Sequence, residues 1–102
     1  MIIYNVTIIL EKKIESEWLQ WIKPHIKEVL ATGCFSDARF TKVLTAPNDQ
    51  GPTYSIQYRA LTKANLERYY SEHAERLRTV GVQKFGDKML AFRTEMALVE
   101  EF

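Results

Sequence analysis

Gly33 and the residues around it constrain the fold more than any other stretch. Val29 and Leu30 close an apolar stripe of helical spacing, Gly33 stands one step past it, and from Phe35 the spacing shifts to alternation. A left-handed residue ends a helix at no steric cost only where there is no Cβ. Residues 29–40 therefore mark a helix-to-strand junction, and the rest of the chain arranges itself on either side.

Upstream, residues 1–11 read as a strand: Ile2, Tyr4, Val6, Ile8 and Leu10 are apolar at period two. The other face, Ile3, Asn5, Thr7 and Ile9, is only half polar, which predicts a central strand covered on both sides. Residues 14–32 follow as a helix with Ile14, Trp18, Trp21, Ile22, His25, Ile26, Val29 and Leu30 on one broad stripe. Pro24 removes a backbone donor within it and predicts a kink or break near Lys23.

Downstream, residues 35–46 and 53–60 read as two strands of a hairpin, joined by a Pro- and Gly-containing turn at 47–52. Thr62 suits the N-cap of a second helix whose stripe is Leu66, Tyr69, Tyr70, His73, Ala74, Leu77 and Val80, with Gly81 as its stop. Residues 88–99 form the last strand, apolar on both faces. The order βαββαβ predicts an α+β ferredoxin-like sandwich in one domain, residues 1–102: a four-stranded antiparallel sheet with two helices on one face. The second sheet face is assigned Ile3, Ile9, Val43, Met89, Ala91, Ala97 and Val99, with Arg39, Gln57, Arg59, Arg93 and Glu95 among them. An apolar surface left open by the helices predicts a homodimer through the sheet.

Composition narrows the partners. Fourteen Lys and Arg against thirteen Asp and Glu, with the signs interspersed, argue against nucleic acid or an anionic membrane. No apolar run approaches spanning length. The single cysteine, Cys34, forms no internal disulfide, and no secretion signal precedes the first strand, so the expected setting is cytoplasmic. Cys34 itself reads as a small buried apolar residue, because nothing near it in sequence lowers a thiol's pKa.

The candidate chemistry is sparse. His25 and His73 lie at mid-helix on inward stripes, and two antiparallel helices would bring their midpoints together as a general-base or ligand-orienting pair. The competing reading is two half-buried imidazoles satisfied by tyrosine or backbone. Two histidines are too few for a metal site. Trp18, Trp21, Tyr4, Tyr58, Tyr69 and Tyr70 converge between helices and sheet, as either the lining of a cleft for a flat ligand or plain core. The arginines are expected to pair structurally, Arg39 with Asp37 and Arg93 with Glu95, or else to recognise a carboxylate or phosphate. No phosphate-binding loop, nucleophile elbow or zinc spacing is present.

Three stretches then resemble the dimeric α/β-barrel superfamily: Thr32-Gly33-Cys34-Phe35, the strand from Tyr54 to Tyr58, and the helix from Tyr69 to Leu77. Glu17-Trp18-Leu19-Gln20-Trp21, His25-Ile26 through Phe35, and Phe85-Gly86-Asp87-Lys88 through Thr94 make the chain similar to a family of small uncharacterised bacterial proteins, a domain of unknown function within that superfamily. The resemblance implies the fold, a dimeric α/β-barrel assembly and a ligand cleft between helices and sheet. Its broader relatives include cofactor-free quinol monooxygenases, haem-degrading monooxygenases, muconolactone isomerases and stress-induced barrel proteins. Haem-degrading members use an Asn on the first strand, a Trp at the start of the second helix and a His within it. Asn5 and His73 occupy comparable elements, but Thr62-Lys63-Ala64-Asn65 supplies no Trp.

The reading that results is a small cytoplasmic homodimer with a cleft for a small aromatic ligand, using no cofactor and no metal. His25 and His73 are the candidate catalytic residues, and Trp18, Trp21, Tyr58 and Tyr70 the candidate ligand contacts. Whether it is a monooxygenase- or isomerase-like enzyme is left open, the alternative being a non-catalytic ligand-sensing or protein-assembly module. An RNA-recognition domain shares the element order, but the third strand lacks the basic-Gly-aromatic signature.

Overall fold

The computed structural model describes residues 1–102. Strand β1 (Ile2–Leu10) leads through a short 3-10 turn (Lys12–Ile14) into helix α1 (Glu15–Ala31). Strands β2 (Asp37–Lys42) and β3 (Thr53–Ala60) form the hairpin. Helix α2 (Lys63–Tyr69) passes through a π-helical turn (Tyr70–Ala74) into helix α3 (Glu75–Phe85), and strand β4 (Met89–Ala97) closes the fold. The sheet order is β2-β3-β1-β4 with every neighbouring pair antiparallel. This is the ferredoxin-like α+β sandwich.

The junction at Gly33 behaves as its sequence requires. The backbone there has φ +78, and the Gly33 N–H donates to the Leu30 carbonyl at 3.1 Å, meeting one of the acceptors that a helix end leaves open. Thr62 caps α2 as expected, its hydroxyl accepting from the Asn65 amide at 3.1 Å. Helix α1 runs unbroken through Pro24, against the expected break. Both Pro24 and Gln20, whose carbonyl loses its donor, are on the exposed side, where water can replace the missing bond.

Gly81 is not a helix stop. It lies inside α3 and is buried, and a Cβ there would stand 3.1 Å from Trp21 Cη2 and 3.2 Å from Met89 Cε. Its missing side chain makes room for the indole, and the helix ends four residues later, before Gly86 at φ +58. The expected strand at 35–46 is shorter than read: β2 stops at Lys42 and Leu44 is 88% exposed in the hairpin loop.

Register corrects the face assignment of β4. Leu10 pairs with Met89, Ile8 with Ala91, Val6 with Arg93 and Tyr4 with Glu95, so these β4 residues share the helix-covered face. Directly paired residues point the same way from a sheet, and one step of parity moves every side chain to the other face. The open face therefore carries Leu90, Phe92 and Met96 in place of Met89, Ala91 and Ala97, and neither Arg93 nor Glu95 belongs to it. Arg39, Gln57 and Arg59 do lie there. The expected pairings also change. Arg59, not Arg39, holds Asp37 with two bonds of 2.8 Å, and Glu95 takes Lys63 at 3.2 Å and Tyr70 at 2.8 Å in place of Arg93.

Between helices and sheet lies one cluster of 19 buried apolar residues, enough for a single continuous core. Its centre is aromatic: Phe35 stacks on Tyr4 at 6.0 Å and meets Tyr58 at 5.2 Å and Tyr69 at 4.9 Å. Offset and edge-on pairs at such separations add to the stabilisation from burial alone.

Candidate functional site

Where α1, α3 and the middle of the sheet diverge, the core leaves a cleft of about 60 Å³. Tyr4 from β1, Trp21 and His25 from α1, Tyr58 from β3, and Arg78 from α3 line it, with Arg93 of β4 alongside. The cleft has room because Gly81 holds no side chain there and because β4 places a small residue, Ala91, on this face beside Met89.

The residues singled out in the sequence separate. Trp21, His25 and Tyr58 share the cleft. Trp18 does not: it is fully buried one turn earlier, 5.1 Å from the Tyr54 ring and 5.8 Å from Phe40. Tyr70 is not among the cleft residues either: its ring lies under the Arg78 guanidinium at 5.7 Å and its hydroxyl donates to Glu95 Oε2 at 2.8 Å. His73 lies on another surface, with Arg76 Nη2 3.1 Å from its Nδ1, and is not among the cleft residues. Asn5 is on the open sheet face, where its carbonyl oxygen accepts from Ser55 at 2.5 Å and its amide donates to Thr7 at 3.1 Å. The haem-type constellation is thus not assembled on one side of the sheet.

His25 stacks against Trp21 at 4.5 Å with the rings 22° apart. Burial pushes its pKa below 6.5, against the opposing field of Glu28, so the cleft holds a neutral imidazole at neutral pH. A folded-state pKa below the unfolded value means that the unfolded chain binds more protons as pH drops beneath 6.5, and stability falls there. Wild type should therefore lose more thermal stability than His25→Gln between about pH 7.5 and about pH 5.5. Equal losses in the two proteins, or an NMR titration of His25 centred above 6.5, would contradict that assignment.

Burial raises the Tyr69 hydroxyl to about 12 and lifts Tyr58 beyond the ordinary tyrosine range, so both stay protonated. Sequence reasoning missed Arg78. It sits one position past Leu77 on the helical stripe, and only the packing of α3 shows its guanidinium turning inward to donate to Tyr4 Oη at 2.8 Å. Cys34 is buried beside Thr32, 3.9 Å from its carbonyl, consistent with a packing role. No three His, Cys, Asp or Glu side chains gather where they could hold a metal ion. No helix is long and apolar enough to cross a membrane.

Fold and cleft together define a ferredoxin-like α+β protein with a small, partly open cleft between its two layers. Within that class the chain belongs to the family described as a domain of unknown function (DUF4286), which it matches over residues 1–99. No curated protein matches it in sequence. A dimeric ferredoxin-like protein from an uncultured marine organism has a similar structure, with a TM-score of 0.74 and 12% identity over 99% of this chain and 97% of that one. A PII-like signalling protein from Thermus thermophilus aligns over 94% of this chain and 88% of its own at 11% identity, with a TM-score of only 0.34.

Proposed function

We propose that the chain works as a homodimer, joined through its open sheet face, that binds a small molecule in the cleft without transforming it: a ligand-sensing module in a reducing, cytoplasmic setting. The observation that carries the reading is the contrast between the two sheet faces. One is covered by helices over its centre, where Tyr4, Ile8, Ile56 and Tyr58 are buried, while the other leaves Leu90 54% and Phe92 55% exposed on a strand that continues the sheet. Contiguous apolar surface on a small chain is characteristic of an interface. The marine ferredoxin-like neighbour is itself described as dimeric, which agrees with this assembly.

Binding is favoured over catalysis because His25 and His73 do not share a site, leaving the cleft one group that titrates near neutrality. The second reading, a cofactor-independent monooxygenase- or isomerase-like enzyme, keeps His25 alone as a neutral base beside Tyr58. Size speaks against an aromatic ligand. The cleft is about 60 Å³, whereas a cavity of about 150 Å³ is known to enclose benzene. Native mass spectrometry on gently purified protein tests the reading. A dimer is expected, with a small ligand released on denaturation. A monomer at micromolar concentration overturns the assembly, and a dimer that neither carries nor takes up any small molecule leaves only the assembly half standing.

A further inference from the structure

The cleft is electrostatically unbalanced. Arg78 and Arg93 both line it, and no Asp or Glu does. Neither arginine takes part in any of the chain's ion pairs, which engage Lys13, Lys42, Arg59, Lys63 and His73. Arg78 lies over the Tyr70 ring at 5.7 Å and spends one donor on Tyr4 Oη, but its Nε is buried and has no partner. A guanidinium cannot shed its proton, so burial leaves it charged and short of an acceptor. Tyr4, having accepted from Arg78, still holds a hydroxyl proton to donate. Tyr58 and Tyr69 add hydroxyls whose environment includes no side-chain hydrogen bond. The fields of both arginines reach Tyr69, so the two cations and the phenols face one small volume.

Resting on the reading of this cleft as a ligand site, we infer that its ligand is a carboxylate with a short aliphatic body, the carboxylate set between Arg78 and Arg93 and the body against Trp21 and Met89. The missing acceptor for Arg78 Nε is a planar anion, the shape that a guanidinium fork matches. Phosphate fits less well. The lining includes neither a helix N-terminus nor a glycine-rich loop, the usual sources of backbone donors for phosphate, and most of the wall is apolar.

Calorimetry on the wild-type protein with acetate, acetamide and inorganic phosphate tests this, in a buffer free of other carboxylates. Acetate, with four heavy atoms, is matched to a cleft of about 60 Å³ and should bind saturably, with acetamide and phosphate each at least about tenfold weaker, since the charged hydrogen bonds are the stronger ones. Arg78→Gln should weaken acetate about tenfold or more. Arg93→Gln, at an exposed position that does not endanger folding, should weaken it in the same direction. Acetamide binding as tightly as acetate would sink the carboxylate while leaving the cleft reading intact, and preferential binding of phosphate would do the same. If no probe binds and the Trp21 indole signal does not move in NMR, both the inference and the reading beneath it fall.

Discussion

Trp18→Ala should cost about 3–5 kcal/mol of folding stability, a large share of the roughly 5–15 kcal/mol that holds a domain together. Trp18 is entirely sequestered, and its ring bridges α1 to the hairpin through Tyr54 and Phe40. Truncation removes the transfer free energy of the largest side chain in the core and leaves a void that a rigid sheet cannot fill by collapse. The indole Nε1 has no hydrogen-bond partner, so the site already carries the penalty of one unsatisfied donor. Trp18→Phe should accordingly lose much less than the alanine variant, because it removes that donor and retains most of the ring. Urea unfolding followed by the fluorescence of Trp21 would show the midpoint falling at an unchanged slope. A Trp18→Ala protein within about 1 kcal/mol of wild type would mean that this ring packs far less tightly than its burial says.

The pair Trp18 and Trp21 also shows where sequence reading stops. Both lie on the same helical stripe, three residues apart, so periodicity places both inward. Which one fills the core and which one borders a cleft is decided by how α1 docks on the sheet and by the absence of a side chain at Gly81, about sixty positions along the chain. Alternation in β1 was sufficient to identify a central strand, and Gly33 and Thr62 placed two helix ends, because those signals are local. In β4 the alternation is apolar on both faces, and only the pairing of Leu10 with Met89 fixes the parity. The π-helical turn at Tyr70–Ala74 has no compositional mark at all. It begins at Tyr70 and leads directly into the helix that carries Arg78, a placement common for π-bulges near sites. Arg78 was invisible for a related reason: an arginine beside an apolar stripe normally runs outward to water, and its inward turn depends on the Tyr4 hydroxyl arriving from another element.

Phe92→Asp should turn the proposed dimer into a monomer without unfolding it. Phe92 is 55% exposed in the single chain, so a carboxylate there stays hydrated and intramolecular packing changes little. In a sheet-to-sheet dimer the same carboxylate would be desolvated beside Leu90 and Met96 with no cation within the apolar strip to receive it, and a buried unpaired charge is among the costliest single changes. Part of the face is already prepared for burial, with Arg39 left on the outer strand β2, where its charge can stay in water. Asn5, Thr7 and Ser55 satisfy one another within the protomer, and Arg59 is neutralised by Asp37 through two short bonds that hold the Asp37 carboxyl below its usual range. Those polar groups surrender little water on association, so the apolar strip supplies the net driving force, and an interface of this kind typically buries about 1,200–2,000 Å² in total. Light scattering should report a monomer for Phe92→Asp at concentrations where wild type is dimeric, with circular dichroism unchanged. Leu44→Asp, in the hairpin loop away from the sheet, should remain dimeric. A Phe92→Asp protein that still dimerises would place the interface elsewhere, and the open sheet face would then need a different partner.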